Sequence, residues 1–416
     1  MKQNIRTLLS TSALIVCLTG FCSCSNNANS DKSIIDVASV VGKGSVHSAS
    51  EFFKDIKYIP LETEPNSIIG NISKLYVENN KIYVSDIRGI INIFDMDGRH
   101  LSTLNKIGRG PEEYIRMNTF TVSPTGSIFV VLANEGIIEY NDDLKFVRRV
   151  NSDFPFGNQF DFSSLRKDLF ASILLDFSYP NNRHTFLIYN DSLKIQFSDS
   201  SVLPMAISEE GRLSVRTNVS KFTIYNNELK IFRDGSDTIF VIDIDNNYSK
   251  SAKYILNYGG YSLSNDVINS LAGASADAKM ISLLSMTESD NYLFMRFNFR
   301  GLAPEPFDPQ IDYSGAVRLD GSGPTDKITT VNIIYNKKTG KAILLNQPSP
   351  GSLGLRDDLT GGPPFWPGII TAKQEFVTWR NAHDLISLAE EGKIDKSLVA
   401  NLKENDNPVI VIATPK

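Results

Sequence analysis

The sequence predicts an all-β protein: a six-bladed β-propeller of four-stranded antiparallel blades with minor helical insertions. Three observations favour this fold. Beyond about Phe52, apolar and polar residues alternate, which is the pattern of half-buried strands. Turn dipeptides that tolerate positive φ separate these runs at short intervals. The resulting unit of four strands recurs along the chain, as the blades of a propeller do.

The clearest unit covers residues 74–104. It contains four short runs rich in β-branched and aromatic residues, and the dipeptides between them favour hairpin turns. The runs are 74–78, 81–85, 90–94 and 100–104, and the two clearest turns are Asn79-Asn80 and Asp97-Gly98.

Five weaker units follow and account for the rest of the chain. They are predicted at 120–150, 165–197, 222–258, 291–345 and 369–414, and a Pro/Gly-rich insertion at 304–324 interrupts the fifth. Helical periodicity is confined to decorations at 264–271, 276–284 and 384–402. A doubly wound α/β fold is therefore disfavoured.

The N-terminus has the features of a secretory signal peptide. Lys2 and Arg6 precede an apolar run at 8–21, which is shorter than the roughly 20 residues that span a bilayer. The run ends in a segment that resembles a lipobox, with the small Ser23 before Cys24. We expect cleavage after residue 23 and lipidation of Cys24. The alternative is an ordinary cleaved signal that contains cysteines.

The predicted organisation has three parts: a signal peptide at 1–23, a lipidated cysteine with a flexible tether at 24–50, and a single propeller domain at 51–416. The lipid would place the protein in the cell envelope, at the outer membrane, and both the periplasmic and the surface face stay open. All three cysteines lie at or before position 24. The folded domain therefore has no disulfide, no thiolate metal site and no cysteine nucleophile.

Charge and motif content exclude several classes of function. The net charge of −5 becomes more negative when Lys2 and Arg6 are removed with the signal peptide. An acidic chain argues against nucleic acid as a partner, and membrane contact is expected only through the lipid anchor. The four histidines form no pair with metal-ligand spacing, and a Gly-x-Ser-x-Gly elbow is absent. We therefore expect no metal and no cofactor.

Several stretches carry a family resemblance. They are 58–63 with 69–74, 108–114, 361–367 and 407–411. Through them, nearly the whole mature chain resembles the six-bladed β-propeller lipoproteins of Gram-negative gut anaerobes, which are similar to NHL-type propellers. The resemblance implies the fold but no established activity, and NHL-type relatives mostly bind proteins, peptides or other polymers. Thr360 stands where an acidic residue is expected, which weakens an argument for metal or sugar binding there.

The first candidate site is the segment Gly108–Tyr114. A phosphate-binding loop is excluded, because no Gly-Lys-Ser/Thr follows and Pro111 lacks a backbone donor. We predict a loop that presents its polar side chains to a ligand at the channel mouth. The predicted ligand-binding residues are Arg109, Glu112, Glu113 and Tyr114. The alternative is an inter-blade connection in which Arg109 pairs with a neighbouring carboxylate.

The second candidate site is the segment Asp357–Trp366. Phe365 and Trp366 are predicted to stack on a sugar or peptide, while Asp357 and Asp358 bind hydroxyl groups. The alternative is that both rings fill the core of a blade.

The sequence favours a binding or scaffold module for a glycan, a peptide or a partner protein over an enzyme, because no catalytic motif is present. The alternative is a glycan-active hydrolase or lyase that uses carboxylates at the channel mouth. Its catalytic residues are not identifiable from the sequence.

Overall fold

The computed structural model describes residues 33–132, 135–151, 159–176, 183–202, 205–207, 213–215, 220–233, 236–262, 279–300, 302 and 330–416. The predicted signal peptide, Cys24, the helix at 264–271 and the insertion at 304–324 lie outside these ranges. Within them, the strands form six sheets of four or five strands and one two-stranded ribbon. The prediction of a six-bladed β-propeller with four-stranded antiparallel blades is confirmed.

The strands are numbered in chain order. The N-terminal pair is β1 (Ser33–Asp36) and β2 (Phe53–Pro60). Blade 1 contains β3 (Ile72–Glu78), β4 (Lys81–Asp86), β5 (Ile91–Asp95) and β6 (His100–Leu104). Blade 2 contains β7 (Met117–Val122), β8 (Ile128–Leu132), β9 (Gly136–Tyr140) and β10 (Phe146–Asn151). Blade 3 contains β11 (Gln159–Arg166), β12 (Leu169–Asp176), β13 (Arg183–Asn190) and β14 (Ile195–Val202).

The ribbon β15 (Met205–Ile207) and β16 (Leu213–Val215) follows blade 3. Blade 4 contains β17 (Ser220–Tyr225), β18 (Glu228–Arg233), β19 (Thr238–Asp243) and β20 (Ser249–Asn257). Blade 5 contains β21 (Met280–Glu288), β22 (Tyr292–Arg300), β23 (Thr330–Asn336) and β24 (Lys341–Leu344). Blade 6 contains β25 (Ile369–Ile370), β26 (Phe376–Arg380) and β27 (Val409–Pro415), and helix α1 (Ala382–Glu390) lies between the last two.

The ring closes through a strand from the other end of the chain. Strand β2 pairs antiparallel with β27, from Phe53 opposite Pro415 to Pro60 opposite Val409. The fourth strand of blade 6 is therefore N-terminal, and this pairing holds the first and last parts of the ring together. Phe53 is fully buried and packs against Phe294 of blade 5, so the closing strand also joins the core between blades 5 and 6.

The segment before β2 belongs to the packed structure. Strand β1 pairs parallel with β20 as a fifth strand of blade 4. Ile35 and Val37 are fully buried in the core that blade 4 shares with blade 5. The tether is predicted at 24–50, but these burials and the bridges from Ser45 to Leu345 and from Ser48 to Arg356 place residues 33–50 in the packed structure. The predicted tether is therefore at most residues 24–32.

Turn chemistry confirms the predicted hairpins. Asn79 and Asn80 both have positive φ, at 50° and 57°. Gly98 has a φ of +83°, and a Cβ there would lie 2.1 Å from the carbonyl oxygen of Pro60. Glycine at this position thus allows the turn between β5 and β6 to approach the end of β2 closely.

One predicted helical segment contains helices in the structure, and part of another is a strand. Helix α1 and the 3-10 helix Lys396–Val399 lie largely within the predicted 384–402 segment. Residues 280–284 were predicted as helix but form the start of β21. A short apolar run is compatible with either period, and pairing with β22 along its whole length decides in favour of the strand.

Ionic contacts tie blade 3 to blade 4. The carboxylate of Asp199 on β14 lies 2.6 Å from both Arg233 Nη2 and Lys250 Nζ. Burial disfavours the charged form of Asp199, but Lys250 and Arg233 outweigh burial and hold its pKa below the ordinary value. The ionised carboxylate therefore stabilises the packing of the two blades.

This contact predicts a specific pH dependence. A depressed pKa contributes stability that is present above the unfolded-state value of about 3.9 and is lost as the pH falls through the folded-state pKa. We expect Asp199→Asn to lower the free energy of unfolding by about 2 kcal/mol at pH 7, with a smaller loss in acid. Urea unfolding across pH 3–7 measures both effects. Asp143→Asn, in an ion pair exposed by more than 70% on both sides, is the control, and an equal loss at all pH values contradicts the prediction.

Candidate functional site

The connection between blades 1 and 2, residues 105–116, is held in one conformation by its own hydrogen bonds. Gly108 N donates to Tyr114 O at 3.0 Å, and Tyr114 N donates to Lys106 O at 2.9 Å. Glu113 Oε2 accepts from Gly110 N at 2.8 Å. These bonds fold the segment back on itself, so its two glycines and the carboxylate of Glu113 form the inside of the loop.

Side chains from blades 1 and 2 fix the same loop from outside. The buried Tyr114 hydroxyl donates to Gly89 O at 2.8 Å, and burial raises its pKa to about 12. Tyr140 Oη donates to Glu112 O, and Arg149 Nη2 donates to Glu113 O, both at 2.6 Å. Tyr114 and Glu113, which were predicted to bind ligand, are thus used to hold the loop.

Unlike Tyr114 and Glu113, Arg109 and Glu112 do not use their side chains to hold the loop. Both side chains are exposed, and within the described part of the chain neither makes a hydrogen bond or ion pair. The neighbouring carboxylate that the alternative interpretation required for Arg109 is therefore not found among these residues. A rigid loop that presents unpaired charges loses little conformational entropy when it binds a partner.

Four exposed isoleucines lie in this loop or beside it. Ile68, Ile87, Ile107 and Ile115 are 52%, 76%, 46% and 66% exposed. Arg88 Nη2 donates to Ile68 O at 2.6 Å, which brings Ile68 close to Ile87, and Ile107 forms a bridge with Tyr114, which brings it close to Ile115. The bond from Tyr114 Oη to Gly89 O joins the two pairs. We call the four isoleucines with Arg109 and Glu112 the blade 1 patch.

The blade 1 patch lies at the end of the propeller that carries the inter-blade connections. Clustered exposed aliphatic side chains with charged neighbours are typical of interaction surfaces. Sequence reasoning found the two charged residues but missed the isoleucines, because a single apolar residue in a turn has no periodic pattern.

The aromatic rings of the second candidate site, Phe365 and Trp366, are not exposed at the surface. Phe365 and Trp366 are only 1% and 5% exposed. The ring centroids of Phe365 and Phe53 lie 5.2 Å apart, and those of Trp366 and Phe294 lie 5.8 Å apart. The prediction that these rings stack on a ligand was wrong, since burial between blades 5 and 6 stabilises the fold more than an exposed platform does.

The two carboxylates of this segment also serve the fold. Asp357 is 4% exposed, accepts from Tyr58 Oη at 3.0 Å, and accepts from the backbone N–H of Thr360 at 3.0 Å. Asp358 accepts from the backbone N–H and the hydroxyl of Ser50 at 2.9 and 2.6 Å. These contacts attach the segment to β2 and to the residues before it. The buried Asp357 carboxylate is used by the fold, and ligand binding by the exposed Asp358 stays a prediction.

Polar side chains cross the ring between blades 1 and 3. Lys74 Nζ lies 2.9 Å from Asp161 Oδ1, and Tyr76 Oη donates to Phe162 O at 3.2 Å. Burial opposes the Lys74 ammonium, but Asp161 outweighs burial and raises the pKa of Lys74. Blades 1 and 3 are not neighbours in the ring, so these contacts cross the central channel. They narrow it where Lys74 and Tyr76 lie.

The fold and its closure define the class of this protein as a six-bladed β-propeller with an N-terminal closing strand. The chain belongs to the family of the domain of unknown function DUF4934, whose model matches residues 32–414. None of the curated proteins matches the sequence. The lipoprotein and NHL-like parts of the resemblance stay predictions.

Three solved structures are similar to this chain, and the first of them has the same fold. A Bacteroides fragilis protein named as exported is similar with a TM-score of 0.60 and 15% identity, over 92% of this chain and 99% of that chain. A DUF4221 family member from Bacteroides vulgatus has a TM-score of 0.40 and 13% identity, over 88% and 97%. Virginiamycin B lyase from Staphylococcus aureus has a TM-score of 0.34 and 10% identity, over 72% and 76%.

Proposed function

We propose that this protein is an exported, lipid-anchored binding module of the cell envelope that engages a partner protein through the blade 1 patch. One observation carries the proposal: a loop fixed by internal hydrogen bonds presents unpaired Arg109 and Glu112 among exposed isoleucines. Apolar centres with charged neighbours are the composition of protein interfaces. The signal peptide and the lipobox-like Cys24 support export and anchoring, and the outer membrane is the proposed location.

A partner protein fits the surface better than a glycan does. The rings that the sequence offered for stacking on a sugar, Phe365 and Trp366, are buried. Aliphatic side chains such as Ile87 and Ile115 match an apolar protein surface, while Arg109 and Glu112 offer charge pairing in both senses. Opposite charges on the module select the orientation of the partner more than they add affinity.

The proposal predicts that one added charge abolishes partner binding. We expect Ile87→Asp to reduce crosslinking at least tenfold, because a buried unpaired carboxylate is strongly unfavourable at an apolar interface. A photoreactive amino acid at position 109 of the full chain, in a host that recognises its signal peptide, reports the crosslinked partner. Val147→Asp is the matched control, since Val147 is 47% exposed on β10 of blade 2. Equal crosslinking of both variants would refute the patch as the binding surface.

Anchoring is tested separately. We expect Cys24→Ala to move the protein from the membrane fraction to the soluble fraction of the envelope, because its lipid attachment point is lost. Retention in the membrane fraction would contradict lipidation. It would not bear on the blade 1 patch, which the crosslinking experiment tests separately.

A further inference from the structure

Three side chains in the connection from β1 to β2 form a hydrogen-bonded relay. Ser45 Oγ lies 2.9 Å from His47 Nε2, and His47 Nδ1 lies 2.9 Å from Glu51 Oε2. A hydroxyl, an imidazole and a carboxylate linked in this order are the arrangement that activates a serine nucleophile. Such a relay is recognised by its geometry, because the order of its members along the chain differs between unrelated folds.

Backbone hydrogen bonds hold the hydroxyl and the imidazole on the propeller. Ser45 N donates to Leu344 O at 3.1 Å, and Asn346 N donates to Ser45 O at 2.8 Å. Arg356 N donates to His47 O at 2.9 Å. Both residues are thus fixed against the end of β24 in blade 5 and the segment that follows it, so their relative position is maintained before any substrate binds.

The carboxylate of the relay is fixed as well. Glu51 Oε1 accepts from Ser48 N at 2.8 Å, which leaves Oε2 for His47. Burial disfavours the charged form of Glu51, but the bonds from His47 and Ser48 outweigh burial and lower its pKa. The ionised carboxylate keeps a proton on His47 Nδ1, so Nε2 is the nitrogen that accepts from the Ser45 hydroxyl.

The hydroxyl is open to a substrate. Ser45 is exposed, the next residue Val46 is 46% exposed, and the His47 side chain is 21% exposed. The N–H of Val46 makes no hydrogen bond within the described ranges. In serine hydrolases the N–H of the residue after the nucleophile is a common donor to the oxyanion of the tetrahedral intermediate. Nucleophile, base, orienting carboxylate and one oxyanion donor therefore lie within one short segment.

From this geometry we propose that Ser45 and His47, positioned by Glu51, hydrolyse carboxylic esters. Ser45 Oγ attacks the carbonyl carbon while its proton passes to His47 Nε2. The C–O bond to the alcohol then breaks, the alcohol leaves with that proton, and the acyl group stays on Ser45. Water attacks this acyl group and gives a proton to His47 Nε2, and the carboxylic acid is released as Ser45 Oγ takes the proton back.

An ester fits this site better than an amide does, because an alcohol leaves the tetrahedral intermediate more readily than an amine. The activity goes beyond the proposed function, since none of the three residues belongs to the blade 1 patch. A search for the Gly-x-Ser-x-Gly elbow does not find this relay, because that motif describes a strand-to-helix turn of another fold.

A fluorophosphonate probe on the full chain tests the nucleophile. Ser45 Oγ displaces fluoride from phosphorus, and peptide mass spectrometry locates the adduct. We expect an adduct on Ser45, formed about 100-fold more slowly in His47→Ala because the general base is lost. Ser50→Ala is the matched control and should react like the wild type, since the Ser50 hydroxyl donates to the Asp358 carboxylate. An unlabelled Ser45 in the wild type, or equal rates for wild type and His47→Ala, overturns the proposal.

Hydrolysis of p-nitrophenyl acetate tests the role of the carboxylate. We expect Ser45→Ala to lower kcat/KM by about 100-fold. Glu51→Gln keeps an acceptor for Ser48 N but presents an N–H to His47 Nδ1, so the imidazole carries its proton on Nε2 and no longer accepts from Ser45. This variant should lower kcat by about tenfold or more, with KM and the urea midpoint unchanged. A Ser45→Ala chain as active as the wild type, or an unchanged kcat in Glu51→Gln, contradicts the relay.

Discussion

Glu288→Ala is expected to lower the free energy of unfolding by about 3 kcal/mol, because it leaves a buried lysine with less compensation. Lys230 is fully buried between blades 4 and 5, and its Nζ lies 2.8 Å from Glu288 Oε2 and 2.7 Å from Glu228 Oε2. Glu288 also pairs with Lys337 at 2.8 Å. Equilibrium urea unfolding of the mature chain carrying Cys24→Ser measures the loss.

Two further variants distinguish charge from packing. The double variant Glu288→Leu with Lys230→Met should recover most of the lost stability, since an apolar pair replaces the buried ion pair and the charges that lose a partner, Glu228 and Lys337, are partly exposed to water. Glu391→Ala removes a surface pair whose partners are more than half exposed, and we expect a change within about 0.5 kcal/mol. If the double variant is as unstable as Glu288→Ala, the lost stability does not come from leaving the Lys230 charge without the Glu288 carboxylate.

Phe53→Ala is expected to have a comparable or larger effect, about 3–5 kcal/mol. The Phe53 ring stacks on Phe294 with centroids 5.7 Å apart and meets the edges of Phe365 and Phe376 at 5.2 and 5.8 Å. The substitution leaves a cavity on the strand that closes the ring, so unfolding should also begin at the pairing of β2 with β27. Hydrogen exchange of the β2 amides, together with urea unfolding, measures both consequences.

The same blade offers a matched control. Trp379 on β26 is 37% exposed, and we expect Trp379→Ala to change the free energy of unfolding by less than about 1 kcal/mol. Similar losses for the two variants would mean that the aromatic cluster does not secure the closure. Faster exchange across all six blades, rather than first in β2, would show that the ring unfolds as one cooperative unit.

The sequence predicts exposed side chains in both candidate segments, and the structure has Arg109 and Glu112 at the surface but buries Phe365 and Trp366. Arg109 and Glu112 lie in a segment whose glycines and proline exclude regular structure, so their exposure is predictable from local chemistry. Phe365 and Trp366 also lie between glycines and prolines, but Phe53 and Phe294 from distant parts of the chain cover them. Local composition does not reveal that contact.

The sequence by itself determined the number of blades and the approximate bounds of the first four, because strand period and turn chemistry are local properties. Asn79-Asn80 and Asp97-Gly98 mark their hairpins in the sequence alone. Only the tertiary structure decided how the ring closes and where the blade 1 patch lies. Pairing of β2 with β27 and of β1 with β20 joins segments separated by most of the chain. Such partners are selected by complementary burial in the folded ring, and no short stretch of sequence contains that information.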